Sequence, residues 1–155
     1  MNPLRVREAL TEADWAAVRA VREAVFVGEQ ACPPEEEWDE HDDPEARGRT
    51  VHHLLGELDG DAAACARWRP VEGGAVAKLE RFAVLAPFRG RGFGRDVVAA
   101  ALASARAAGH TRFVLYAQSH LTGFYGGFGF EPTGGPFWEV GIEHVKMTLE
   151  GPDAR

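Results

Sequence analysis

The spacing of apolar positions changes period several times along this chain, and each change marks an element. Leu4 to Arg7 reads as a short first strand. Thr11 followed by Glu12, Ala13 and Asp14 is a helix start with Thr11 as the N-cap. Trp15, Val18, Val21, Val25 and Phe26 then recur at helical spacing, so one face of that helix packs on a core. Residues 28–50 are polar and irregular, a connection of the length that is usually functional or mobile. A strand over 51–58, the turn Asp59-Gly60 and a returning strand over 62–69 form a hairpin. Glu72-Gly73-Gly74 turns the chain into a further strand over 75–85. Val97, Val98, Ala101, Leu102 and Ala105 give a helix over 94–108 its apolar stripe, and Gly109 ends it. A strand over 112–117, a short helix from Ser119 to about Gly126, and last strands over 128–132 and 143–149 complete the chain. This order implies an α/β fold of the mixed α+β kind, with helices on both faces of a mixed sheet.

Length and composition narrow the function. The 155 residues suit a single domain over 1–150 with a short tail at 151–155. No run of about 18 apolar residues occurs, and Met1-Asn2-Pro3-Leu4-Arg5 lacks an apolar signal core. The two cysteines, Cys32 and Cys65, are far apart and lack metal spacing, so a reduced, cytoplasmic setting is expected. Cys65 reads as a small buried hydrophobe, and nothing pairs Cys32 with a histidine. A net charge of −7 disfavours nucleic acid as a partner. The acids crowd into Glu35-Glu36-Glu37-Trp38-Asp39-Glu40-His41-Asp42-Asp43, which reads either as a solvated loop or as a negative rim that attracts a cationic substrate. His41 among its aspartates lacks a closed ligand spacing, and adjacent His52 and His53 point to opposite faces of a strand, so no metal is expected.

The densest chemical signal is Phe88-Arg89-Gly90-Arg91-Gly92-Phe93-Gly94-Arg95, between a strand and a helix. Glycines there expose backbone N–H groups, and the first helical turn adds free donors and the positive end of the helix dipole. Phosphate binds well at such a place, and arginine forks match its oxygens. The loop is therefore expected to hold a pyrophosphate through Arg89, Gly90, Arg91, Gly92, Phe93, Gly94 and Arg95. The spacing R-x-x-G-x-G is neither a P-loop nor a dinucleotide fingerprint.

That spacing resembles the coenzyme A loop of the GNAT acyltransferases (GCN5-related N-acetyltransferases). The stretch from Leu115 to Phe130, with Phe124-Tyr125 and Gly129-Phe130, resembles the second signature of that superfamily. Val25-Phe26-Val27-Gly28-Glu29-Gln30 and Gly141-Ile142-Glu143-His144-Val145-Lys146-Met147 are similar to segments of its ElaA-type subgroup. The resemblance runs from about Leu4 to Leu149. It implies a mostly antiparallel sheet in which a splayed strand pair holds acyl-CoA, and transfer of an acetyl group from acetyl-CoA to a primary amine by direct attack in a ternary complex.

The resemblance also implies roles. The backbone of Phe82, Ala83 and Val84 would pair with pantetheine amides like an added strand. Tyr125 would be the acid for the thiolate; its alternative is a packed aromatic. Glu80 would be the base, acting through water; its alternative is a surface carboxylate paired with Lys78 or Arg81. Gln118 stands where the superfamily presents an amide to coenzyme A. Glu29, Gln30, Trp38 and His120 are candidates for contacting the acceptor, a small-molecule or peptide amine. The rival reading from a different class is a non-catalytic acyl-CoA sensor or partner-binding module. Pairing across exposed last strands would make a homodimer, and no membrane partner is expected.

Overall fold

The computed structural model describes residues 2–151, so the expected tail lies outside the described residues beyond Gly151. Its strands are β1 (Arg5–Glu8), β2 (His52–Leu58), β3 (Asp61–Val71), β4 (Val76–Val84), β5 (Arg112–Gln118), β6 (Glu131–Pro132), β7 (Phe137–Glu139) and β8 (Ile142–Glu150). Helices are α1 (Glu12–Arg22), α2 (Pro34–Glu37), α3 (Phe93–Ala107) and α4 (Thr122–Gly126). They build one eight-stranded sheet in the order β1-β2-β3-β4-β5-β8-β6, with β7 also on β8. Every pairing is antiparallel except β4 with β5.

Each face of the sheet is covered by one long helix. On one side Val97, Val98, Ala101 and Leu102 of α3 join Leu54, Ala66, Trp68, Leu79 and Phe113. The Trp68 indole, fully buried there, donates to Ser104 Oγ at 2.8 Å, so its polar edge is satisfied. On the other side Val18, Val21 and Val25 pack on Leu55, Cys65 and Ala83. Thr11 caps α1 as expected, in a reciprocal capping box with Asp14.

Three departures from the sequence expectation matter. The first helix does not stay α-helical: residues Glu23–Glu29 widen into a π-helix, closed by Gln30 N–H to Val25 O at 3.0 Å. Phe26 of this segment and Gln30 at its close both line a cleft, and such segments gather at functional sites. The long polar connection contains α2 and a 3₁₀ turn at Glu40–Asp42, both ordered by side chains buried below them. The strand expected over 128–132 is reduced to Glu131–Pro132, because Gly129 takes φ +101° and Phe130 drops into the core. The Gly/Pro-rich loop after it forms β7, and its aromatic Phe137 packs edge-on against Tyr116.

β4 and β5 pair only at Ala77 with Phe113 and Lys78 with Val114. Beyond that point the strands separate, which is the splay the resemblance implied. A bulge causes it. Between Arg67–Glu80 and Cys65–Ala83 the β3–β4 register slips, and Arg81 takes φ +58°. That left-handed conformation costs a non-glycine residue roughly 1–2 kcal/mol, so something must hold it.

Candidate active site

Two clefts open along the splay. The first is lined by Phe82, Ala83 and Val84 of β4, by Arg89, Gly90, Gly92, Phe93 and Gly94, and by Phe124 and Tyr125 of α4. Gly90 and Gly92 have φ of +80° and +81°, the backbone that lets the loop curl onto the start of α3. Gly92 is the N-cap of α3 and has no side chain to cap it, so the first-turn N–H groups are left for a ligand. Past Lys78 no strand covers the β5-facing edge of β4, so Phe82 to Val84 keep backbone groups free on that side.

The second cleft lies on the α1 side of the sheet. α1 sits over β2, β3 and β4. By the two-residue pleat Lys78, Glu80, Tyr116, Gln118 and His144 share that face further along, and all five line the cleft. Gln30 and Cys32 close it from the π-helix side, and Gln118 Nε2 donates to Gln30 Oε1 at 3.3 Å. Phe82, Leu121 and Tyr125 line both clefts, so the two meet there. Tyr125 is buried, which pushes its phenol up to about 12. It therefore stays protonated near neutral pH and has a proton to give.

Glu80 is set differently from the expectation. Its carboxylate is buried among Arg67, Arg69 Nε at 2.9 Å and Lys78 Nζ at 3.6 Å. Burial opposes its charge, but those cations win and bring its carboxyl down to about 2. Such a group has almost no tendency to take a proton at neutral pH, which argues against the base role. Of the two alternatives weighed for it, the ion-paired carboxylate matches the geometry, through Lys78 but with Arg67 and Arg69 in place of Arg81.

The acidic segment is corrected as well. Glu37 and Asp42 are buried, not solvated. Arg22, at the end of α1, donates to Glu37 Oε2 at 2.7 Å and to Asp42 Oδ1 at 2.6 Å. Arg67 of β3 donates to Asp42 and to both oxygens of Asp39. Arg81, in the bulge, reaches Glu37 Oε2 at 3.2 Å and the Glu37 carbonyl at 3.1 Å. Only Glu35, Glu36, Glu40 and Asp43 of the segment remain exposed, and of these Glu36 lines the second cleft.

The other expected residues divide. Gln30 and Gln118 reach the cleft. Glu29 instead makes a two-pronged bridge to Arg89 at 2.7 and 2.8 Å, and that partner lowers its carboxyl pKa. Arg89 also donates Nε to Val84 O, so it fastens the loop to β4 before any ligand arrives. Trp38 lines neither cleft; it lies under the guanidinium groups of Arg19 and Arg22 at 4.5 and 4.6 Å and edge-on to Trp15. His120 is exposed and lines neither, as do Arg91 and Arg95 beside the first cleft.

Sequence reasoning missed Arg22, Arg67, Glu139 and His144. An arginine inside an apolar strand such as Ala62–Arg69 is a sign of buried pairing, because arginine is seldom fully buried alone. Glu139 is brought in by β7, which carried no periodic signal, whereas His144 lies on the expected last strand and only the pairing of β8 with β5 shows that it faces the cleft.

A model of the acetyltransferase (GNAT) domain matches residues 43–151. The chain belongs to the GNAT acetyltransferase family. The Bacillus subtilis protein YyaT is 32% identical to this GNAT chain over 147 residues, 95% of this chain and 96% of that one. The crystal structure of Escherichia coli ElaA is 27% identical and superposes with a TM-score of 0.81 over 97% of this chain and all of that one. An acyl-CoA N-acyltransferase from Pseudomonas aeruginosa is 28% identical, with a TM-score of 0.79 over 95% of this chain and 98% of that one. Among the described residues no helix is long and apolar enough to cross a membrane, and no three acidic, histidine or cysteine side chains are gathered as metal ligands.

Proposed function

We propose that this GNAT chain moves an acetyl group from acetyl-CoA to a primary amine by direct attack in a ternary complex. The observation that carries this is the meeting of the two clefts at Phe82, Leu121 and Tyr125. The pyrophosphate takes the Gly90–Gly94 turn and the uncapped start of α3. Pantetheine amides pair with the open edge of β4 at Phe82, Ala83 and Val84, which delivers the thioester to Tyr125. The amine approaches from the other cleft, where exposed Glu36 and Glu139 favour a cation. Holding both reactants at the junction removes much of the entropic barrier. Tyr125 then donates to the sulfur as the thiolate leaves.

The test has two arms. Calorimetry should show coenzyme A binding to the wild type and at least about tenfold weaker binding to Gly92→Asp, from lost N–H donors and like charge. The φ of +81° at Gly92 strains any side chain, with no atom in the way of one, so far-UV circular dichroism of the variant accompanies the titration. A panel of polyamines, amino sugars and lysine peptides with acetyl-CoA should then show amine-dependent thiol release. Binding without release from any amine returns the chain to the sensor reading, and unchanged binding to Gly92→Asp sinks the loop assignment.

A further inference from the structure

His144 is the one ring in the acceptor-side cleft with an unused lone pair. It sits on β8 opposite Gln118 of β5 and Phe137 of β7, and it is only 8% exposed. Its Nδ1 lies 2.7 Å from the carbonyl oxygen of Ile142. A carbonyl oxygen can only accept, so Nδ1 carries the proton and Nε2 carries the lone pair. Nε2 has no partner among the described residues. Phe137 stacks on the ring at 5.8 Å and 26°, so its plane is fixed as well as its tautomer. This is the geometry a proton acceptor needs: an oriented ring with one nitrogen open.

The charged neighbours in the cleft fail as proton acceptors one by one. Glu80 is held by Arg67, Arg69 and Lys78 from β3 and β4. Glu37 of α2 is held by Arg22 and Arg81. Lys78 and Arg81 of β4 are cations. Glu36 of α2 and Glu139 of β7 are exposed carboxylates that no neighbouring ring holds in one orientation. Of the other titratable groups there, burial raises Cys32 and Tyr125, and Tyr116 is a phenol under the Lys78 ammonium at 4.0 Å. Imidazole is the side chain whose charge changes in the neutral range.

We propose that His144 Nε2 is the general base of the acyl transfer, a step that rests on the transferase reading above. The acceptor ammonium gives one proton to Nε2. The free amine attacks the thioester carbonyl carbon, the C–N bond forms and the C–S bond breaks. As the amide forms, the nitrogen sheds one more proton, and the departing sulfur gains one through Tyr125, so coenzyme A leaves as the thiol. Nε2 releases its proton to solvent, and one proton is the net yield.

The experiment uses His144→Asn, whose side-chain nitrogen can stand where Nδ1 stood and keep the bond to Ile142 O while removing Nε2. On the amine that passes the panel, kcat/KM should fall by roughly 10²-fold with coenzyme A affinity unchanged. The wild-type rate should lose activity on the acid side of its pH profile, and that limb should be absent from the variant. Long-range 1H–15N spectra of the wild-type imidazole supply a second readout that needs no acceptor, and they should show Nδ1 protonated and Nε2 bare at pH 8. Near-normal turnover by His144→Asn, an unchanged acid limb, or a proton on Nε2 each overturns the base assignment alone. A wild type that binds coenzyme A and acetylates no amine overturns the transferase reading, and this assignment falls with it.

Discussion

Asp42→Asn tests how far the buried ion network shapes the molecule. Asp42 accepts from Arg22 at 2.6 and 3.1 Å, from Arg67 at 2.9 Å and from the Asp39 N–H at 3.1 Å. The amide keeps the shape, but removes the charge and turns N–H bonds toward guanidinium donors. Neither arginine is left bare: Arg22 keeps Glu37, and Arg67 keeps Asp39 and Glu80. The loss should therefore fall below the roughly 3–5 kcal/mol of a fully broken buried pair. A second route gives the scale. Burial opposes the charge, but the two arginines overcome it and bring the carboxyl from 3.8 to about 2. At 1.36 kcal/mol per unit that is about 2 kcal/mol at neutral pH. Urea unfolding of wild type and variant at pH 7 should thus differ by about 2–3 kcal/mol with equal slopes. The sign with pH follows from a lowered pKa. The contribution is complete above the unfolded value of 3.8 and is lost as pH falls through about 2, so the gap should narrow by about 1 kcal/mol at pH 3. A gap below about 0.5 kcal/mol at pH 7, or one that widens in acid, would refute this account.

Tyr125→Phe should lower kcat by about 10²-fold with coenzyme A affinity unchanged in calorimetry, as the proposed proton transfer from the phenol to the departing sulfur requires. Glu29→Gln should tighten coenzyme A binding roughly two- to fivefold at low salt, an effect that fades at high salt, since it removes a negative charge and frees Arg89 for the anion. Ser104→Ala should cost about 1–2 kcal/mol in urea unfolding, because the buried Trp68 N–H loses its acceptor. Arg81→Gly and Arg81→Ala both lose the contacts to Glu37, but only glycine relaxes the φ of +58°. The glycine variant should therefore be the more stable by about 1 kcal/mol, and equal stabilities would show that the bulge is unstrained.

Much of this architecture is legible in the sequence because it rests on local periodicity. The 3.6-residue stripe of α3, the Thr11 cap and the Asp59-Gly60 hairpin all announce themselves within a few residues. The glycine turn before α3 is legible for the same reason, since its chemistry is mostly backbone. The ion network is not, because its partners are distant in sequence: Arg22 and Asp42 meet across 20 residues, Arg67 and Asp39 across 28. A run of acids reads as a solvated surface unless the cations that bury it are also found. The π-helical end of α1 is invisible for a different reason. Apolar spacing at Val21, Val25 and Phe26 fits an α-helix equally well, and only the bond from Gln30 N–H to Val25 O marks the wider turn.

The misread acids and the splayed strands are one device. A parallel partner running the length of β4 would fill its edge and leave no groove. The separation from β5 begins just past Lys78, and the bulge at Arg81 follows within three residues. A bulge with a left-handed arginine is unfavourable alone and could relax by restoring the register. Arg81 is instead anchored by Glu37, which is anchored by Arg22, which shares Asp42 with Arg67. Arg67 in turn holds Glu80, the residue before the bulge. The chain of pairs thus begins on α1, passes through the acidic loop and ends on both sides of the distorted backbone. Buried pairs of this kind add little net stability compared with apolar packing, but they are intolerant of displacement, because any shift leaves a charge uncompensated. That property suits a backbone that must stay open. The acids at 37–42 therefore act on the open edge of β4 from behind, by holding that strand in the shape that leaves Phe82 to Val84 free.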